Sequence, residues 1–422
     1  MLRPILTKLV LAKTGQTTQT YDLSTTTNRI WALSHVEQEW SNIAPVVVMS
    51  DATLAALDLT GYTATISYGY NDVTAGDEFS ACAPLEVMAQ NSDTVLYKNQ
   101  PQLLTAFISA GIFDLMVAEK ATTRYTQEST DTQTVKTLLT AVAQATLAPF
   151  TSCKAHTITF DSEDSLIDTY VPADYFSVGF GESRLSAFKK LIVTTKCKAI
   201  IKADGIHVLN STISGGTYDY QFNDAATEHN FFEKGTRKRL VIPNRIIVSS
   251  SPDHTPQYTG NDYDSATYSA LGNRYIDAPY YIRATSDAQC AAIATAILQH
   301  RQVDAEKGHG LVPMNCGQEV FDYILFTDSV ANDTRAGNVG YLKRTYIPGR
   351  QFSTELRFGK LAGEFPFLSP AFDAANGGVT WEAFYALQNY IDEKDNLLLK
   401  FIMDLDTVAK WRVTQRLNIP VK

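Results

Sequence analysis

Apolar positions along this chain recur mostly at a period of two, the spacing that buries one face of a β-strand. The stretch 62–70 shows it cleanly: Tyr62, Ala64, Ile66, Tyr68 and Tyr70 fall on one face, with Thr63, Thr65 and Ser67 on the other. Near the other end, Phe352, Thr354, Leu356 and Phe358 alternate with Gln351, Ser353, Glu355 and Arg357. Pro348-Gly349 precedes that run and favours a type II turn, whose twist suits a two-residue hairpin poorly, so a wider loop is predicted. "VFDYILF" (320–326) is nearly all apolar and predicts a strand covered on both faces. "LVIPNRIIVSS" reads as a strand whose Pro243 restricts it to a start or an edge, and "YYIRA" as another after a break at Pro279. Asp204-Gly205 between two apolar runs is a strong hairpin signal. At the N-terminal end "MLRPILTKLVLA" and "LEVMAQ" predict strands, and 28–50 predicts strands broken by Pro45.

Helical spacing is rarer. Ser286 with Gln289 forms a capping box, after which Cys290, Ile293, Ala294, Ile297 and Leu298 make one apolar stripe, stopped by Lys307 and Gly308. Thr132 or Thr134 can cap a helix bearing Val135, Leu138, Leu139 and Val142; Ser183 starts another with Leu185, Phe188, Leu191 and Ile192. Pro101 is predicted to open a helix carrying Leu103, Leu104, Phe107 and Ile108, ended by Gly111. From Trp381 on, Phe384, Leu387, Ile391, Leu398, Phe401 and Leu405 step by three and four, with Lys394 and Arg412 as polar exceptions. That pattern fits a helix packed on its own domain or a short coiled coil about a symmetry axis. In the second case these six residues are the candidate oligomer or fibre contacts.

These patterns predict an α+β, mainly β chain. A β region with a helix (1–120) is followed by an α/β insert (121–239). A second β region with a helix (240–360), read as a small sheet with the 286–305 helix laid on it, is followed by a Pro/Gly-rich connector and C-terminal helix (361–422). The length of 422 residues also exceeds a comfortable single core.

Composition narrows the function classes. Charged residues make up only 19%, and the net charge is −9, so specific nucleic-acid binding is not expected. "KGTRKRL" (234–240) is a dense basic run, read as a solvated turn before a strand. Five cysteines, odd in number and without paired spacing, fit reduced thiols, with Cys290 as plain core. The N-terminus resembles neither a signal peptide nor an anchor, and no run is long and apolar enough to span a bilayer.

Catalytic motifs do not emerge. "HVEQE", "HNFFE" and "HRQVD" lack the second His of a metalloprotease helix, and "GESRL" lacks the second Gly of a nucleophile elbow. "GFGES" has Arg184 where a dinucleotide fingerprint needs its third Gly. "GNDYDSATY" (260–268) and "FDSEDS" (160–165) offer oxygen ligands without a known calcium-loop spacing. The carboxylates Asp161, Glu163 and Asp164 are the candidates for an alternative reading, acid–base cleavage of cell-wall polymer.

Three stretches carry a resemblance over residues 1–360. They are "PNRIIV" (243–248), "GNRYIDAPYYIRATSDAQCAAIATAIL" leading into the helix, and "CGQEVFDYILFTD" with the hairpin ending in "LRFGK". In these the chain resembles the baseplate hub or tail-tip proteins of tailed bacteriophages. The resemblance implies two tail-tube-like β-sheet domains, each with a packed helix, interrupted by the insert. It implies a structural virion protein at the tail tip, made in the host cytoplasm, without cofactor or metal. It also implies a homotrimer adapting a sixfold tube to threefold symmetry. The expected partners are a distal tail or tail-tube ring, the tape measure protein and a central fibre or spike, with DNA passing through the channel. The hub of a related injection particle is a further alternative.

Overall fold

Buried side chains follow the period-two runs closely. Along the strand Thr63–Asp72, Ala64, Ile66 and Tyr68 are buried, and Tyr62 just before it is buried too. The computed structural model describes residues 5–22, 30–50, 52–72, 74, 76–97, 100–224, 229–236, 240–250, 255–305 and 308–359. The chain divides into two units, Met1–Pro366 and Phe367–Lys422. The second lies outside the described residues, and with it the candidates Phe384, Leu387, Ile391, Leu398, Phe401 and Leu405.

Among the described residues the fold is mainly β, organised on a 15-stranded sheet. The strands between Ile5 and Ala110 pair antiparallel with one another. The strands Gly308–Pro313, Tyr323–Asp328, Asp333–Ile347 and Gln351–Phe358 form a second group. One ladder joins the two groups: Ile30–Gln38 pairs antiparallel with Asp333–Ile347, with His35 opposite Arg344 and Leu33 opposite Tyr346. The hydrophobic core beneath the N-terminal strands, built on Leu9, Val48, Ile66, Tyr68 and Phe107, also takes in Met314 and Tyr346 from the second group.

A separate core holds most of the helices. Ile112–Ala118, Val135–Ala143, Arg184–Ile192 and Asp287–Ala305 bury their apolar stripes together, against Val208, Ile246 and Val248. Each fully buried Leu, Ile or Phe there contributes about 1.5–3 kcal/mol. The caps are as predicted. Thr134 and Ser183 accept from backbone amides three residues on. Ser286 accepts from the Gln289 amide, while the Gln289 side chain reaches back to the Thr285 amide. In the hairpin Cys197–Lys202/Gly205–Asn210 the two-residue loop is Ala203-Asp204, and Gly205 opens the second strand. Gly205 has φ +142°, and a Cβ there would lie 2.5 Å from the Thr157 carbonyl oxygen. The loop at Pro348 spans 348–350, wider than two residues, as its Pro-Gly signal requires.

Several expectations are corrected. Residues 100–110 form the strand Gln100–Ala110, not a helix from Pro101; the helix comes after Gly111, at Ile112–Ala118. Leu103, Leu104, Phe107 and Ile108 mimic a helical stripe, but burial runs through Thr105, Phe107 and Ser109, and strands pair on both edges. Pro45 sits inside the strand Ser41–Ser50 opposite Ile108, while the ladder to Ile30–Gln38 passes from Val36↔Ile43 to Leu33↔Val46 and skips the position lacking an N–H. Pro279 lies within Asp277–Ile282, an edge strand where a missing donor costs little. The helix Asp287–Ala305 does lie on a small sheet, but that sheet is Thr259–Tyr263, Arg245–Ser250 and Asp277–Ile282; the strands after residue 308 join the large sheet instead. Lys234 is in the strand Glu233–Thr236, paired at 2.6 Å with Asp333, not in a solvated turn.

Arg184, within the "GESRL" that lacks a nucleophile-elbow pattern, organises the helical core. Its fully buried guanidinium donates to the carbonyls of Val142, Ala143 and Lys154 and to the Glu119 carboxylate at 2.7 Å, closing the end of one helix onto the start of another. Arg184→Met should therefore destabilise the fold by about 3 kcal/mol or more, by stranding those acceptors. The urea-unfolding midpoint measures this, and a change below about 1 kcal/mol would contradict the role given to Arg184.

Candidate functional site

The ladder that joins the two strand groups also concentrates buried charge. His35 and Arg344 face each other across it, and Glu37 follows His35 by two residues, so all three lie on one face. Arg344 donates to the Glu37 carboxylate and to the Gln318 carbonyl. Its guanidinium also lies 5.6 Å from the Tyr68 ring centre, and the His35 ring stacks on the same Tyr68 ring with centroids 6.4 Å apart. His35 Nε2 is 2.6 Å from Asn42 Oδ1 and donates to it. Asp114, in the first turn of its helix, accepts from the Ser41 hydroxyl at 2.6 Å and the Asn42 amide at 2.8 Å, tying the helical core to this point. A cavity of about 330 Å³ opens beside these groups, lined among others by Glu37, Asn42, Cys82, Lys202, Cys316 and Arg344.

Burial opposes ionisation of Glu37, yet the charge and hydrogen bond of the Arg344 guanidinium hold the carboxyl below its usual range. Burial lowers the His35 pKa, so the ring is neutral at pH 7. Burial also pushes the Cys82 thiol up to about 12 and Cys316 up to about 11, which leaves both protonated and poorly nucleophilic. Among the described residues His35, Glu37 and Cys82 form a group whose donor atoms lie within 4.8 Å of one another. They fit a metal poorly: Glu37 is committed to Arg344, His35 Nε2 to Asn42, and a cation would sit against a guanidinium. The arrangement is suited to holding strands together rather than to turnover.

Asp322 stands one step further out. Its Oδ2 accepts from Gln318 Nε2 at 2.5 Å and the Glu319 amide at 2.7 Å, and burial, reinforced by Asp219 and Glu319, pushes its pKa up to about 7.

The carboxylates proposed for acid–base work are occupied separately. Asp161 lies 2.9 Å from His207 Nδ1, whose Nε2 is 2.7 Å from Asp204. Glu163 pairs with Lys136 at 2.7 Å, and Asp164 accepts from the Lys196 amide. The acidic loop 260–268 is spent on structure as well: Asp264 caps the helix Ser265–Ala270, and Asp262 accepts from Thr295. All five cysteines are free, and Cys290 is buried core. The junction residues themselves escaped sequence reasoning. A Glu two residues from a His and an Arg in a strand are ordinary signals, and only their pairing makes a cluster.

The same architecture occurs in solved structures. A tail protein from Neisseria meningitidis matches with a TM-score of 0.56 at 10% identity, over 84% of this chain and 96% of that one. The fold is that of phage tail proteins. The 43 kDa tail protein of prophage MuSo2 from Shewanella oneidensis (TM-score 0.51, 9% identity) covers 83% of this chain and 97% of its own. A prophage tail protein from Listeria monocytogenes (TM-score 0.51, 12% identity) covers 83% and 94%. No protein-family model and no curated protein matches the sequence.

Two measurements test this site. Arg344→Met leaves Glu37 buried without its cation and should cost about 3–5 kcal/mol, whereas adding Glu37→Leu should recover part of the loss, since removing both charges is milder than removing one. A double mutant no more stable than Arg344→Met would contradict that coupling. For Asp322 the sign runs the other way from a salt-bridged acid. Its folded pKa is raised, so its stabilising contribution is full below the unfolded value of about 3.9 and is lost as pH rises through about 7. Asp322→Asn should therefore gain stability relative to wild type as pH rises from about 4 to about 7. A thermal-midpoint difference that stays flat across that window would refute it.

Proposed function

We propose that this protein is a structural component of a phage tail tip: a homotrimeric hub that closes the distal end of the tail tube. The observation that carries this reading is the single ladder by which Ile30–Gln38 and Asp333–Ile347 fuse two groups of strands into one sheet. A chain with two such groups lets three copies present six to a sixfold tube while keeping threefold symmetry on the other side for a central fibre or spike. The likeness of fold to phage tail proteins supports the same assignment. In this proposal residues 1–120 and 240–360 supply the tube-like parts, 121–239 the insert, and 361–422 the connector and C-terminal helix, whose Phe384-to-Leu405 stripe meets the fibre or its own copies. The partners are a distal tail or tail-tube ring and the tape measure protein, and the site of action is the virion. A net charge of −9 weakens contact with DNA moving through the channel. The work is mechanical and not enzymatic: the buried carboxylates and thiols are held in ion pairs or kept protonated.

Light scattering on the purified chain mixed with its distal tail partner should give a particle containing three copies of the 46.6 kDa chain. A monomeric chain at every concentration, with and without that partner, would overturn the proposal.

A further inference from the structure

The small sheet formed by Thr259–Tyr263, Arg245–Ser250 and Asp277–Ile282 has one covered face and one open face. Ile246 and Val248 point into the core with the helix Asp287–Ala305. Gly260 lies so close to that helix that a Cβ would come within 2.2 Å of the Ala291 amide nitrogen. The alternate positions therefore point outward, and their registers set them in three rows. Tyr263, Arg245 and Asp277 form the first; Asn261, Ile247 and Pro279 the second. Thr259, Ser249 and Tyr281 form the third.

Tyrosines mark the two ends. Tyr281 is 60% exposed and Tyr263 40% exposed, at opposite corners. From strand spacing and rise these corners lie roughly 16 Å apart. The Tyr263 corner is rigidly built. Tyr275 is stacked on Tyr268 at 4.4 Å and covered by the Arg245 guanidinium at 4.0 Å, while Tyr263 meets both rings edge-on. Arg245 is held in turn by a two-pronged pair with Asp277, at 2.7 and 2.8 Å. The charges of the first row thus cancel, and the ground between the corners is mostly amide, hydroxyl and two small apolar side chains.

Size and charge together choose the occupant. Three strands by five residues amount to roughly 200 Å², far below the about 800 Å² per partner that a stable protein interface buries. The neutralised Arg245 gives little purchase on nucleic acid or another polyanion. What fits is a ligand with flat apolar faces for the end rings and hydroxyls for the polar ground, which is the chemistry of a sugar ring. We infer that this face binds a short, uncharged oligosaccharide laid between Tyr263 and Tyr281. The inference uses this face alone and stands apart from the oligomer reading.

The test is calorimetric titration of the full chain with chitotetraose, with polygalacturonate as an acidic comparison and light scattering on the same samples. Binding of the neutral sugar should be saturable, and Tyr281→Ala and Tyr263→Ala should each weaken it by about tenfold, with circular dichroism and particle mass unchanged. Absence of binding at millimolar sugar, or affinity unaltered in both variants, would overturn the inference. Preference for polygalacturonate would overturn its uncharged character. A fall from an oligomeric wild-type mass in the variants, without sugar binding, would assign the face to a protein contact instead.

Discussion

The strand ladder between Ile30–Gln38 and Asp333–Ile347, with the Arg344–Glu37 pair on its face, is the constraint on which the rest depends. It joins groups separated by 307 positions in sequence. Everything between them must therefore leave the sheet and come back. The excursion is what makes a second core necessary, because the inserted helices have apolar stripes of their own to bury. Closing so long a loop is entropically costly, and the ladder's backbone hydrogen bonds, the shared core through Tyr346 and Met314, and the buried ion pair together offset that cost.

A buried ion pair is an odd choice for stability alone, since a well-packed apolar pair at the same place would commonly do as well. What it adds is registry. A slip of one residue along the ladder would turn Arg344 away from Glu37 and strand a charge, so only one alignment of the two strands is satisfied. Asn42 and Asp114 extend the same logic to the helical core by tying the start of the strand Ser41–Ser50 to the helix Ile112–Ala118. For a protein proposed to match symmetric neighbours, fixed alignment of its two strand groups matters more than extra stability.

The outward face of the small sheet is a contrasting design. Arg245 and Asp277 form another opposed pair, but at the surface, where such a pair adds little to stability. There it holds tyrosine rings in place. Position rather than chemistry type separates the roles: the Arg344 pair is shut between strands, and the Arg245 pair is open to solvent.

Local features were readable from the sequence because their causes are local. The alternation at 62–70 and 352–358, the caps Thr134, Ser183 and Ser286, and the wide loop at Pro348 each follow from side-chain direction or one turn of backbone. The strand Gln100–Ala110 reads as a helix in sequence because Leu103, Leu104, Phe107 and Ile108 sit at helical spacing; in the strand they divide between its two faces, and the pairing that decides comes from strands elsewhere in the chain. Pro45 and Pro279 read as breaks in sequence, but whether a missing N–H matters depends on which edge of a strand is paired. Sequence by itself determined the mainly β character, the inward faces of the alternating strands and the helix starts at Thr134, Ser183 and Ser286. Tertiary structure alone decided which strands pair, that His35, Glu37 and Arg344 meet, and which face of the small sheet stays open, because partners far apart along the chain are chosen by packing, which no local period encodes.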